Sequence, residues 1–474
     1  MRWAIMLCVA MAGGALADEP AKVAGEVSYW REVRPIFQAQ CQGCHQPAKP
    51  LGKFVMTDFD LLLQAGESGQ PSITPGKPEM SYLVEQITAH GEEKPAMPKG
   101  RTPLSAVEVG LIERWIRQGA KNDSPAVEGP AIDEAHPPVY QLPPIITSLD
   151  VSPDGKLLAV SGYHEVLLHT ATPEGVTLPA GETTQGTKPT ARLVGLSERI
   201  ESIRFSPDGT RLAVVGGSPG RFGEVQIWDV ASRKLQLSLS VTFDTLYGAS
   251  WSGDGTRLAF GCGDNSVRAI DTTTGQQVLF QGAHSDWALG TVWSKDATHL
   301  VSISRDRSMK LTEVATQRFV DNITSITPGA LKGGLMALDR HPTKDELLIG
   351  GSDGLPKIYK MFRTQARSIG DDFNLIRKLG ELPGRVFCVR YSRDGKLVAA
   401  GSSFQTTGQA NVFQEADGKQ LSQLEGQQGG VFTACFSPDA RWLATGGFDG
   451  QVRINDPQTG KLLQSFIPFP LAKP

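Results

Sequence analysis

Between residues 146 and 469 one short pattern returns seven times: an apolar strand, a tight turn of the Ser-Pro-Asp-Gly kind, and a second strand ending in Gly or Ser. The turns are SPDG at 152–155, SPDG at 206–209, SGDG at 252–255, SKDA at 294–297, PTKD at 342–345, SRDG at 392–395 and SPDA at 437–440. Proline fixes φ early in such a turn, and Asp-Gly supplies the local hydrogen bond and the left-handed position of a hairpin. Seven turns over this span give about 46 residues per unit, room for four short strands. That repeat predicts a seven-bladed β-propeller, whose blades gain stability only by stacking on their neighbours.

The end of the ring is also readable. The last unit runs VFTACFS, WLATGG, QVRIND and KLLQSFI (461–467), and the first runs ITSLDVS (146–152), KLLAVSG, EVLLHT and ARLVGL. Each blade is then built from contiguous chain, and closure rests on packing between the first and seventh. Prolines at 137–138 and 143–144 suit a zipped strand poorly, because they cannot donate to a ladder. Antiparallel pairing of Val139–Leu142 onto 461–467 is the outcome that would contradict this.

Ahead of the repeats stands Cys41-Gln42-Gly43-Cys44-His45, the C-x-x-C-H pattern of covalent c-type haem attachment. Tyr29, Trp30, Val33, Ile36 and Phe37 precede it at helical spacing. If the helix continues, Cys41 and Cys44 share a face for thioether bonds to the porphyrin, and His45 reaches the iron from the same side. Zinc would need two more ligands, and no second C-x-x-C or H-x-x-x-H exists in the chain. One covalent haem c is therefore expected. Residues 1–17 carry Arg2, an apolar run and Ala15-Leu16-Ala17, which read as a signal peptide cleaved near Ala17/Asp18. Export, to the periplasm or beyond, fits haem c attachment. Cys262, Cys388 and Cys435, an odd set in strand-like contexts, are expected to be buried thiols.

Residues 18–120 form the haem-bearing region, 121–145 a Pro-rich linker and 146–470 the propeller. Ser28 is positioned to cap the first helix, 58–65 and 80–88 read as the second and third, and Ser105 with Glu108 opens a fourth that stops at Gly119. The Pro95-Ala96-Met97-Pro98 loop offers Met97 as the distal iron ligand, with Met56, Met80 and His90 as rivals. The ordered series WREVRPIFQAQCQGCH, LLLQAGESG, ITPGKPEMSYLVEQI, AMPKG and WIRQGA resembles the planctomycete-type cytochrome c domain over residues 27–121. The resemblance implies a small all-α fold with haem on Cys41, Cys44 and His45, and it favours Met97. The repeats resemble WD40 repeats, with Trp228-Asp229 the intact signature dipeptide and RAID, KLTE, KIYK and RIND its decayed forms. His284 with Asp306 resembles the His/Asp network that braces such blades, although Thr312 stands where its Trp is usual.

The fold class expected is thus multidomain: a small all-α cytochrome c domain plus an all-β WD40-like seven-bladed propeller. Net charge is −3, which points to no nucleic acid partner, and no apolar run is long enough to span a bilayer. His136, His164, His169, His284, His299 and His341 are scattered singly, and no catalytic constellation is visible. An exported electron carrier follows, with partners of two kinds: a redox protein and a protein docked on the propeller. The alternatives are an oxidoreductase whose propeller holds a substrate or second cofactor, and a redox-sensing scaffold.

Overall fold

The computed structural model describes residues 25–472 apart from 43, 47–48, 90, 92, 100–101, 125–131, 179–185, 283, 325–331, 367 and 369–371. The signal peptide expected at 1–17 and the rival ligand His90 lie outside the described residues. The chain divides into two compact units, Met1–Ile36 with Gln70–Pro125, and Phe37–Gly69 with Ala126–Pro474.

The first unit is helical. Ser28 caps its opening helix as expected, the side chain accepting from the Arg31 N–H (2.9 Å), while Glu32 Oε2 accepts from the Ser28 N–H (2.8 Å). The Ser28 carbonyl accepts from both Glu32 and Val33, and this widens Tyr29–Val33 into a π-helical turn before α1 (Arg34–Gln40). The expected second helix shortens to α2 (Phe59–Leu62), in the other unit. The third splits into a 3₁₀ turn, Pro78–Met80, and α3 (Tyr82–Ile87). Helix α4 (Ala106–Arg117) keeps both arms of the predicted capping box, and Gly119 ends it at φ +98°. Its Trp115 stacks on Tyr29 with ring centroids 5.3 Å apart, and Ile112, Trp115 and Ile116 are buried.

The rest is antiparallel sheet. Five four-stranded meanders run Leu246–Gln281, Ala288–Asn322, Leu335–Lys378, Arg385–Gln423 and Val431–Phe466. An eight-stranded sheet precedes them, and it is two meanders joined by one long strand, Ala191–Phe205. The start of that strand pairs with Tyr163–Thr172 as the outer strand of the first meander, and its end pairs with Arg211–Ser218 as the inner strand of the second. No turn residue pair separates the two roles, so the chain passes from one to the other without a loop. The inner strands of the seven meanders contact one another in order, and the seventh contacts the first. One apolar core fills each gap between consecutive meanders, and the last fills the gap between seventh and first. Cys262, Cys388 and Cys435 are buried in these cores.

The turns work as the sequence predicts. Ser152 Oγ donates to Asp154 Oδ1 (2.6 Å), and the Leu157 N–H returns to Ser152 Oγ (2.9 Å). The same Ser–Asp bond recurs at Ser206, Ser252, Ser294, Ser392 and Ser437. In the fifth unit the turn begins at His341 rather than Pro342. There the His341 N–H donates to the Glu346 carbonyl (2.9 Å) as the serine N–H does in the other turns, and the imidazole Nδ1 accepts from the Thr343 N–H (3.2 Å).

Among the described residues closure uses no borrowed strand. Leu462–Phe466 pairs within its own meander, and Tyr140 makes only a single parallel bridge to Leu471. Polar contacts supplement the packing. Gln464 bonds both backbone groups of Val176, and Trp442 Nε1 donates to the Thr172 carbonyl (3.0 Å). The segment before the ring adds a buried latch: Tyr140 OH donates to Glu165 Oε1 (2.7 Å), and Arg192 reaches both Glu165 oxygens and the Pro138 carbonyl.

Candidate functional site

Helix α1 ends at Gln40, so the haem-attachment motif lies in the turn beyond it rather than on a continuing helix. Gly43 at its centre is a poor helix former, which agrees with a stop here. The Phe37 carbonyl accepts from the N–H groups of Cys41 and Gln42 (both 2.9 Å). The Cys41 carbonyl then accepts from Cys44 (3.1 Å) and His45 (3.2 Å). One carbonyl thus fixes the backbone of Cys44 and His45, three and four residues after Cys41. Cys41 and Cys44 are both half-buried, and neither is in a disulfide.

His45 Nδ1 lies 2.9 Å from the Leu51 carbonyl. A carbonyl oxygen can only accept, so Nδ1 carries the proton and Nε2 keeps its lone pair for a metal. Burial pushes the His45 pKa below its ordinary value, which favours the neutral, ligating form. Phe54 stands edge-on to the ring at 5.5 Å, and the His45 carbonyl accepts from the Met56 N–H (2.8 Å). Gln42, between the cysteines, donates to the Met56 carbonyl (2.8 Å) and leaves its buried Oε1 without a partner.

The other methionines separate by environment. Met56 is a buried core side chain, whereas Met80 is 59% exposed at the end of its 3₁₀ turn. Met97 is half-buried in the helical unit, and its N–H is tied to the Gln86 carbonyl (2.9 Å).

Beyond this turn two buried histidines are held by hydrogen bonds within the sheets. His284 donates through Nδ1 toward Asp306 Oδ2 (2.9 Å) and meets Ser302 Oγ at Nε2 (2.8 Å). The order Ser–His–Asp has the form of a hydrolytic triad, but His284 and Ser302 are buried inside the fourth meander. Burial opposes ionisation of Asp306, and hydrogen bonds from His284, Ser308 and the Ser285 N–H outweigh it, holding the carboxyl well below its usual range. Thr312 is buried on the strand paired with that of Ser302. His169 is pushed down to about 4 by burial and bonds the Pro468 carbonyl (3.0 Å). Among the described residues no group of three or more His, Cys, Asp or Glu converges as a metal site. No described helix is long and apolar enough to cross a membrane.

Sequence reasoning missed a cavity of about 700 Å³ on the axis of the ring, lined by the inner strands of all seven meanders. Its polar lining comes from isolated residues on separate strands, a pattern that leaves no local signal.

Residues 41–100 match the family model described as Planctomycete cytochrome C, and residues 418–456 match that of the WD domain, G-beta repeat. The chain is thus similar to a planctomycete-type cytochrome c domain over residues 41–100 and to a WD40 repeat over residues 418–456. The motif turn is therefore where the cytochrome match begins, and the second match falls on the sixth and seventh repeats. Similar curated proteins are WD-repeat proteins. The WD repeat-containing protein 91 homolog of Dictyostelium discoideum is 30% identical over 109 residues, 23% of this chain and 14% of that protein. Coronin-7 of Bos taurus is 29% identical over 193 residues, 39% of this chain and 20% of that protein. Eukaryotic translation initiation factor 3 subunit I of Coccidioides immitis (strain RS) is 23% identical over 271 residues, 54% of this chain and 66% of that protein. The chain spans between 14% and 66% of the length of these three relatives.

Proposed function

We propose that this is an exported c-type cytochrome that carries one covalent haem and transfers electrons, with a seven-bladed WD40-like propeller as its protein-docking platform. The observation that carries the haem assignment is the motif turn, in which the Cys41 carbonyl accepts the backbone N–H groups of Cys44 and His45 and the His45 imidazole is in its Nδ1–H form. Cys41 and Cys44 would hold the haem as its attachment thiols, and His45 and Met97 would be the ligands to its iron. When bound, the haem supplies a one-electron iron couple. The Leu51 carbonyl fixes the orientation of the His45 ring, and Phe54 limits its rotation. Ligation by a methionine thioether together with histidine would favour ferrous iron and raise the potential, which suits a carrier more than an oxygen-activating enzyme. The region 1–17 would direct export, where haem c is attached.

The docking role is supported by the seven cores closing on themselves and by the WD-repeat relatives. A rigid ring holds loops in fixed register, the property a binding platform needs. The test is a haem count and redox spectrum on protein purified from an exporting host. One haem per chain, reversibly reduced, is expected. No haem, or a second non-covalent one in the propeller, would refute the assignment.

A further inference from the structure

The chain beyond the C-x-x-C-H turn folds back on it, and a series of bonds holds the return. The Leu51 N–H donates to the Cys44 carbonyl (3.1 Å), and the Leu51 carbonyl accepts from His45 Nδ1 (2.9 Å) and from the Phe54 N–H (3.4 Å). The Met56 N–H then donates to the His45 carbonyl (2.8 Å). All of these use backbone groups or the imidazole itself. The far end of the loop is fastened by a side chain. Gln42 Nε2 donates to the Met56 carbonyl (2.8 Å), while the Gln42 N–H is held by the Phe37 carbonyl (2.9 Å) of α1. Gln42 thus ties the loop that carries the Leu51 carbonyl to the end of the helix before the motif.

Gln42 is 1% exposed, and the orientation of its amide is settled by its partner. A carbonyl can only accept, so Nε2 faces Met56 and Oε1 is left as a buried acceptor with no donor among the described residues. The amide therefore satisfies one buried acceptor and strands another. In hydrogen-bond count this gains nothing over an apolar side chain, which would strand only the Met56 carbonyl. What the amide adds is position. It fixes where residues 51–56 lie against His45, and with them the carbonyl that takes the Nδ1 proton. A hydrogen bond at that nitrogen orients the imidazole and raises its basicity as a ligand.

We infer that Gln42 is a positioning residue for the histidine ligand: through the Met56 carbonyl it holds the Leu51 carbonyl on the His45 Nδ1–H, and so lowers the haem potential. The inference rests on the haem reading of Cys41, Cys44 and His45. A more basic imidazole favours ferric iron, so loosening this contact should raise the potential. The test compares the full chain from an exporting host with Gln42→Met, which keeps the length of the side chain and removes its donor. Haem per chain, the midpoint potential, and solvent exchange of the His45 Nδ1 proton by NMR of the ferrous protein are measured on both. Gln42→Met should keep one haem per chain and favour ferrous iron several-fold, up to the tenfold that corresponds to about 59 mV for one electron. Its Nδ1 proton should exchange about tenfold faster, and the melting midpoint of the propeller should not move. Gln42→Asn keeps the amide one methylene short of its partner and should shift potential and exchange in the same directions. If Gln42→Met accumulates without haem, Gln42→Asn decides the matter. One haem in the wild type, with potential and exchange unchanged in the variants, would overturn the positioning role and leave the haem reading standing. A lowered potential would overturn it equally. A wild type without covalent haem sinks the haem reading and this inference with it.

Discussion

Replacing Glu165 with leucine should loosen the closure of the ring by about 3 kcal/mol. The Glu165 side chain is fully buried and accepts from Arg192 Nε (2.6 Å), Arg192 Nη2 (2.7 Å) and Tyr140 OH (2.7 Å). The substitution leaves a guanidinium and a phenol facing an apolar group. Removing one partner of a buried ion pair costs about 3–5 kcal/mol, and the lower end applies because the Arg192 side chain keeps 24% exposure to water. At about 2 °C per kcal/mol for a body of this size, the melting midpoint should fall by about 6 °C. Tyr140→Phe removes a single charge-assisted hydrogen bond and should cost about 2 kcal/mol. The triple variant Tyr140→Phe, Glu165→Leu, Arg192→Leu should recover most of the loss, since a matched apolar set has no unpaired charge. Differential scanning calorimetry on the full chain reads all three. A midpoint within 1 °C of wild type for Glu165→Leu would show that the latch does not hold the ring.

Met97→Ala should lower the haem potential and open the iron to carbon monoxide, read by redox titration and the ferrous–CO spectrum. The same response from Met80→Ala, with none from Met97→Ala, would move the ligand to the other sulfur. Stability should also depend on the axial carboxyls Asp150 and Asp339, which burial raises to about 6. Their folded values lie above the ordinary 3.8, so the folded chain binds more protons between about pH 4 and 6. Each then withdraws stability as the pH rises through that window, by at most about 1.4 kcal/mol per unit. Asp339→Asn should flatten that slope in melts from pH 4 to 7, and an unchanged slope would count against the assignment.

Much of the fold was legible because its signals are local. The Ser–Asp bond spans two residues and the capping box three, so both could be read from adjacent letters. His341 hid its turn because a histidine stands where the other turns carry serine, and reading from the proline displaced the turn by one residue. The fused strand Ala191–Phe205 was hidden for the opposite reason. Its two halves were each recognisable, but nothing in the letters between them says that no loop intervenes. The latch joins Tyr140, Glu165 and Arg192 across long separations and carries no periodic signal. At the haem-attachment motif the residue identities were plain, while the orienting contact from the Leu51 carbonyl was not. A backbone group has no side-chain letter to read.

The central claim is that haem is bonded to Cys41 and Cys44. The direct measurement is haem peroxidase staining of the denatured exported protein on a gel, for wild type and for Cys41→Ala with Cys44→Ala. Wild type should stain at full chain length, and the double variant should lose the stain while its propeller still melts cooperatively. Stain retained in the double variant would contradict the account.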